Sequence, residues 1–564
     1  MIDSDVDIHA NGRKEFIYFS SLVLCAFLVF FVGLGNRHLW DSDEPRVAGI
    51  SAEMERTGEV VVPRLNGEPF LEKPPLYFWT ASFVFKLFGE STYTARIPSA
   101  FAALCGVALV FFLARSMGFS ALSSFISGFV LTTSAEYWEL GRKSLIDMLL
   151  CLFITCAMVC FYQACRFLSK RFSLKSLLWS IAFILSLSCA VMTKGLVGLA
   201  IPLSALPVWL ILQKNFSFRV WLLLFIGSFL CLVPTGIWVW LLYNKLGWDA
   251  VYETVWTNNF GRFTGAHQSH IKPFYYYLTT SPQKFLPWIL FLPLALFYYI
   301  KDVRQTKSDH IESDQIELDH IELKRGKIKN SSMFFLIWFC VPFLLLSISS
   351  AKRGIYLIPL YPAAALFIGT AIGRALEEKK KLTKWFITPS VILTWALILS
   401  SFGMLGLCIK FKQPFLICIM VFLPGLILGI WAYIRFAAKD FSGFSRMLFC
   451  LIMIIYLIFG YWVYPVYNKF KSYEPLFHYC EELEVEGYEL KLFSPPERLR
   501  GAVVFYMKKN LPVITKEEDL KKFLHSSKKV AVISVKRKIK NIDGIEAMKI
   551  FNVGRYKFIL LKKE

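Results

Sequence analysis

Apolar windows of about 18 or more residues recur along most of the chain, and each is long enough to cross a bilayer as a helix. Thirteen such segments can be read, starting near Phe16, Arg96, Phe119, Ser144, Lys175, Gly195, Phe218, Phe285, Met333, Gly354, Lys384, Gln413 and Ser445. The first follows Arg13-Lys14 and has no small-residue cleavage site after it, so it reads as a retained anchor rather than a signal peptide. Three polar stretches interrupt the apolar pattern: residues 36–95, 244–284 and 301–331. The last contains the tandem pentapeptides DHIES, DQIEL and DHIEL; His310 and His320 look like ligands there, but a short polar repeat reads as solvated filler.

From about Tyr467 the period changes. Tyr473 to Glu486 and Glu517 to His525 repeat as helices, whereas Leu490–Phe493, Ala502–Tyr506, Val530–Val535 and Arg555–Leu561 read as short strands. The expected architecture is an all-α polytopic membrane bundle of about 13 transmembrane helices over residues 1–466, with a small α/β domain over residues 467–564. That tail lacks a phosphate-binding glycine loop, so chemistry is expected in the bundle.

Composition agrees: 56% of the 564 residues are hydrophobic, 18% are charged and the mean hydropathy is +0.50, which excludes an ordinary soluble enzyme. The net charge of +22 has no basic nucleic-acid-binding domain to carry it, so no nucleic-acid partner is expected. Its simpler home is the cytoplasmic loops. One alternate set of short loops holds roughly two dozen Lys and Arg against about seven in the other, which places the amino terminus inside. After thirteen spans the tail lies outside, as do loops 36–95 and 244–284, with the 301–331 repeat loop cytoplasmic. Of 13 cysteines only Cys480 falls in the tail, so no extracytoplasmic disulfide framework is expected.

Ionisable groups in a membrane protein mark function more often than elsewhere, and here they gather on the outward side. Asp41-Ser42-Asp43-Glu44-Pro45-Arg46 precedes a short helix, Pro45 to Thr57, expected to lie along the membrane surface. Asp43 and Glu44 are candidates for catalysis, with capping of that helix as the rival reading. Lys73 is fixed between Glu72 and Pro74-Pro75, as a phosphate ligand would need, or forms a surface pair with Glu72. Asp147 lies about one turn into a span, where an i,i+4 pair with Lys143 is the alternative. Lys194, Lys352 and Arg353 break the low-cation pattern of the outward loops, and Arg353 leads into Tyr356; a pocket for an anionic lipid headgroup explains them jointly better than snorkelling. Arg262 in the second outer loop can clamp a phosphate, and Arg46 joins the same phosphate- and sugar-binding candidates.

The stretches DSDEPRVAGISAEM, VVPRLNGEPFLEKPPLYFW, TARIPSA, RKSLIDMLL, TKGLVGLAIP, GRFTGAHQSHIKPFYYYL and SAKRGIYLIPLYPAAA occur in that order between Trp40 and Ala365. Together they resemble the bacterial lipid A aminoarabinose transferase family, GT-C glycosyltransferases related to protein O-mannosyltransferases. The resemblance implies a GT-C bundle in the bacterial inner membrane, with a periplasmic site. It would move a sugar, best 4-amino-4-deoxy-L-arabinose, from an undecaprenyl-phosphate donor to lipid A. It implies Asp43 as the central acid, Asp147 as a second, and Lys73 on the polyprenyl phosphate with Arg262, Arg353 and Tyr356. Some relatives hold a zinc-like divalent metal through the residue matching Glu72 and a His of the second outer loop, here His270; no cofactor is otherwise implied. Where relatives often carry a His just before the Arg-Phe pair, this chain has Asn258 and Asn259. Alternative acceptors are lipopolysaccharide core or protein with another polyprenyl-linked sugar. A lipid transporter or flippase would need mid-bilayer charges and inverted repeats, and neither is read here.

Overall fold

The computed structural model describes residues 2–40, 43–169, 173–261, 271–309, 316–378, 383–412, 414–525, 529–539 and 546–562. Among these, ten helices are long and apolar enough to cross a membrane, from Gly12–Phe31 to Phe441–Val466. A bent pair, Tyr276–Lys284 and Trp288–Gln305, turns through 102° and makes an eleventh if counted as one span. Two of the thirteen expected segments, Ala121–Thr132 and Val197–Leu212, are helical but short. At 12 and 16 residues they rise only about 18 and 24 Å, less than the roughly 30 Å of a hydrocarbon core. All thirteen apolar segments are therefore helices, and they share one continuous buried core.

The described residues of the repeat insert, expected to be a loop, are helical, and helix Leu292–Asp309 runs into its start; His310 lies outside the described residues. Helix Ile316–Ile348 begins inside the insert and takes in the last pentapeptide, because Glu, Leu and Lys at this density are strong helix formers.

The carboxy-terminal domain is a five-stranded sheet in the order Val513–Ile514, Glu489–Phe493, Val530–Val535, Tyr556–Lys562 and Glu546–Val553. The first three strands are parallel and the last two join antiparallel. One expected strand is wrong: Ala502–Tyr506 belongs to helix Glu497–Tyr506. Its periodicity is hidden because both faces are covered. Leu499, Ala502 and Val503 enter the domain core, and Phe505 packs on Leu39, Ala48, Ala52 and Phe85 of the first outer loop. A helix buried on two sides reads as a plain apolar run, which periodicity cannot tell from a strand.

The first outer loop explains that second face. Helix Asp43–Thr57, expected to lie along the membrane surface, is enclosed by protein: ten of its fifteen residues are buried, including Glu44 and Glu53. It crosses helix Glu497–Tyr506 at Gly49 and Gly501. A Cβ on Gly49 would meet the Gly501 carbonyl oxygen at 2.5 Å, and one on Gly501 would meet the Pro45 oxygen at 2.4 Å. Only glycine on both helices allows this approach. Side chains extend the joint: Asn66 donates to Leu511 O (2.8 Å) and accepts from Leu511 N (2.9 Å), and Arg56 donates to Val504 O (2.7 Å). Asn66-Gly67 turns the hairpin Arg64–Leu65/Glu68–Pro69 with φ of 58° and 86°, the positive values a two-residue turn demands. Buried Glu53 receives the turn's amide groups from Asn66 and Gly67 at 2.8 Å each.

Candidate active site at one end of the spans

Asp43 opens its helix, and its two oxygens are held from different directions. Oδ1 accepts from Arg46 Nη2 at 2.9 Å, one turn along, and Oδ2 accepts from Arg353, 310 residues away. Burial opposes ionisation of Asp43, but Arg46, Arg353 and Lys194 outweigh it and hold the carboxyl below its ordinary range. Arg46 is shared: its Nη1 lies 2.5 Å from Glu497 and 3.9 Å from Glu72.

Asp147 does not pair with Lys143. Lys143 turns to Glu139 at 2.5 Å, and Asp147 instead takes Lys194 from the end of the neighbouring span. Gly195, with φ of 72°, ends that helix directly after Lys194. The Lys194 ammonium also stands 4.3 Å over the Tyr356 ring, a favourable cation–π position. Arg353 and Lys194 both act on Asp43, while Asp147 and Tyr356 act on Arg353. Asp43, Asp147, Lys194, Arg353 and Tyr356 are thus brought into one cluster. Lys73 donates from Nζ to the Glu72 carbonyl at 2.9 Å, and the Glu72 carboxylate lies 3.9 Å from Arg46.

Two expected site residues are placed otherwise. Glu44, adjacent to Asp43, points into the protein. It is 1% exposed and forms ion pairs with Arg37 at 2.8 Å and Arg96 at 2.9 Å, besides accepting from the Ser144 and Trp40 amides. Those cations draw its pKa down to about 2 although burial opposes the charge. Enclosed this way, it anchors the helix and has no route to a reacting atom. Lys352 is 3% exposed and donates to the carbonyls of Lys272 and Ser349. It ties the second outer loop to the segment carrying Arg353 instead of reaching the cluster.

Arg353 is held by groups that hydropathy does not single out. Tyr277 donates to its carbonyl at 3.2 Å. Lys284 crosses the face of Gly354, where a Cβ would meet its Nζ at 1.7 Å, and pairs with Glu136; that carboxylate also accepts from Tyr361 at 2.6 Å. Glu497 and Glu136 were invisible as partners because each joins the cluster across well over a hundred residues of sequence.

Arg262 and His270 lie outside the described residues. Nearby, Asn258 donates to Leu71 O at 3.3 Å, so the second loop docks just before Glu72-Lys73. Among the described residues no group of three His, Cys, Asp or Glu side chains is placed to hold a metal ion, and Glu72 faces a guanidinium.

The solved structure of ArnT from Cupriavidus metallidurans in the apo state superposes with a TM-score of 0.71 at 19% identity, covering 96% of this chain and 97% of that one. The chain has the ArnT fold. The same enzyme bound to undecaprenyl phosphate gives a TM-score of 0.70 at 18% identity, with the same coverage. The ArnT-like character extends to sequence. The undecaprenyl phosphate-alpha-4-amino-4-deoxy-L-arabinose arabinosyl transferase 2 of Proteus mirabilis (strain HI4320) is 29% identical over 378 residues, 66% of this chain. The corresponding transferase of Edwardsiella ictaluri (strain 93-146) is 28% identical over 380 residues, 65% of this chain. The chain matches 62% of the length of each of these two relatives. The family model for dolichyl-phosphate-mannose-protein mannosyltransferase matches residues 17–250, which contain Asp43, Lys73, Asp147 and Lys194.

Proposed function

We propose that the chain is an integral membrane glycosyltransferase that moves a sugar from a polyprenyl-phosphate donor to an anionic glycolipid at the outer face of the bacterial inner membrane. The best-supported donor is undecaprenyl-phosphate-linked aminoarabinose, after the names of the two relatives above, and lipid A is the acceptor that the sequence resemblance implies. The observation carrying this reading is the convergence of two carboxylates, Asp43 and Asp147, with Arg353, Lys194 and Tyr356 at one end of spans far apart in sequence. The surplus of Lys and Arg at the other ends supports an inward amino terminus and a periplasmic carboxy-terminal domain.

In the transfer, an acceptor oxygen attacks C1 of the sugar and the bond from C1 to the phosphate oxygen breaks. The electron pair leaves on the polyprenyl phosphate. Arg353, Lys194 and Lys73 supply preorganised positive charge where that negative charge grows, the electrostatic part of the catalysis. Each of these cations now rests on a carboxylate or a carbonyl, so an incoming phosphate exchanges partners instead of entering an empty basic hole. A phosphate acceptor is already ionised and needs no base; Asp43 then orients the sugar. With a hydroxyl acceptor, Asp43 takes the proton.

The direct test supplies purified full-length chain with undecaprenyl-phosphate-linked aminoarabinose and lipid A, read by mass spectrometry. Addition of one amino-pentose is expected, and a Lys73→Ala variant is expected to lose it. Unmodified lipid A together with modified lipopolysaccharide core or protein would replace the acceptor assignment. Full transfer by Lys73→Ala would remove the phosphate role of Lys73.

A further inference from the structure

Arg46 sits among three carboxylates, and one of them comes from the other domain. Its Nη2 holds Asp43 Oδ1 at 2.9 Å while its Nη1 lies 2.5 Å from Glu497 Oε2 and 3.9 Å from Glu72. Its guanidinium stands 5.6 Å over the Phe70 ring, and it is only 17% exposed. Glu497 is the first residue of helix Glu497–Tyr506, and the glycine crossing fixes that helix against Pro45 and Arg46. The carboxylate therefore reaches Arg46 from a rigid element.

We propose that Glu497 of the carboxy-terminal domain is a positioning residue of the active site: by holding one edge of the Arg46 guanidinium it sets the orientation in which the other edge grips Asp43. This rests on the transferase reading above and adds to it the tail domain as part of the catalytic unit. A guanidinium is a planar fork, and its two edges are fixed together. With Glu497 on one side and Asp43 on the other, rotation of Arg46 is blocked and Asp43 Oδ2 is left aimed at Arg353. Without the Glu497 charge, Arg46 is free to swing onto Asp43 and Glu72, and the acid loses its orientation toward the sugar. Glu497 itself pairs with Arg46 and not with Arg353, Lys194 or Lys73, the donor phosphate cradle.

The test uses the full chain in detergent and compares Glu497→Gln, Glu497→Asp and Arg500→Gln by steady-state transfer. Arg500 lies on the same helix and makes an interdomain ion pair with Glu68 at 3.1 Å, away from Arg46. Glu497→Gln is expected to lower kcat roughly tenfold, as loss of one charge-assisted contact does, with the donor KM within about twofold. Glu497→Asp should recover part of kcat, and Arg500→Gln should keep all of it. Equal loss in Arg500→Gln would make the effect one of domain docking and overturn the proposal, as would wild-type kcat in Glu497→Gln. A wild-type chain without transfer activity would instead count against the transferase reading itself.

Discussion

Replacing Glu44 by Gln removes the carboxylate that pairs with two buried arginines. Arg37 and Arg96 are 3% and 0% exposed and pair with it. Arg142, 4% exposed, lies beside them and donates from Nη1 to the carbonyls of Val29, Phe30 and Val32. The glutamine side chain keeps the shape but brings an NH2 group into a site built of donors, and it removes the charge that both guanidiniums pair with. Removing one partner of a buried pair costs about 3–5 kcal/mol. The carboxyl gives a similar figure independently. Its pKa falls from 4.5 to about 2, and at about 1.4 kcal/mol per pH unit this is roughly 3 kcal/mol. Because the folded value is depressed, that stability is complete above pH 4.5 and is lost as the pH falls from there toward about 2. Thermal unfolding in detergent, followed by fluorescence between neutral pH and pH 3, is the assay. Glu44→Gln should melt on the order of 5 °C lower at neutral pH, and the difference from wild type should shrink on acidification. A variant melting within about a degree of wild type at pH 7 would refute the claim that Glu44 is an internal anchor.

Asp43→Asn should lower transfer at least a hundredfold while still binding undecaprenyl phosphate in a tryptophan-fluorescence titration. Since Asp43 is held ionised below the ordinary value of 3.8, the acid limb of the wild-type rate should fall only below that pH, as a rate profile in an acid-tolerant buffer would show. Lys194→Ala should weaken polyprenyl-phosphate binding roughly tenfold. Combined with Asp147→Asn it should cost less than the sum of the two single changes, because the two side chains form one pair. Gly501→Leu places a side chain where even a Cβ meets main-chain oxygen at 2.4 Å; susceptibility of the tail to limited proteolysis should rise.

The bundle was legible because a bilayer imposes one rule, a sustained apolar run, and all thirteen runs became helices. The sheet strands Glu489–Phe493, Val530–Val535 and Tyr556–Lys562 were legible for the same kind of reason, a short apolar run between polar turns. Helix Glu497–Tyr506 was not, since its covered second face erased the period that separates helix from strand. At the site, Asp43, Asp147, Lys194 and Arg353 stood out as charges misplaced for a membrane protein, and the fold brings them together. Glu44 stood out equally and is an anchor, because sequence places adjacent residues together without saying which way each points. Glu497 gave no signal at all: a glutamate on a polar tail is ordinary until a glycine crossing carries it to Arg46. Asn66-Gly67, by contrast, is a turn signal plain in the chain that a hydropathy reading passes over.

The interlocked glycines at positions 49 and 501 also constrain how this protein can be recombined. Two main chains in van der Waals contact leave no cushion of side chains to absorb a mismatch, so the two helices must be exchanged as a matched set. A chimera that swaps the last hundred residues between relatives but keeps the original segment 36–95 should assemble poorly, and moving both pieces together should restore it. The unit of inheritance here is a pair of distant segments.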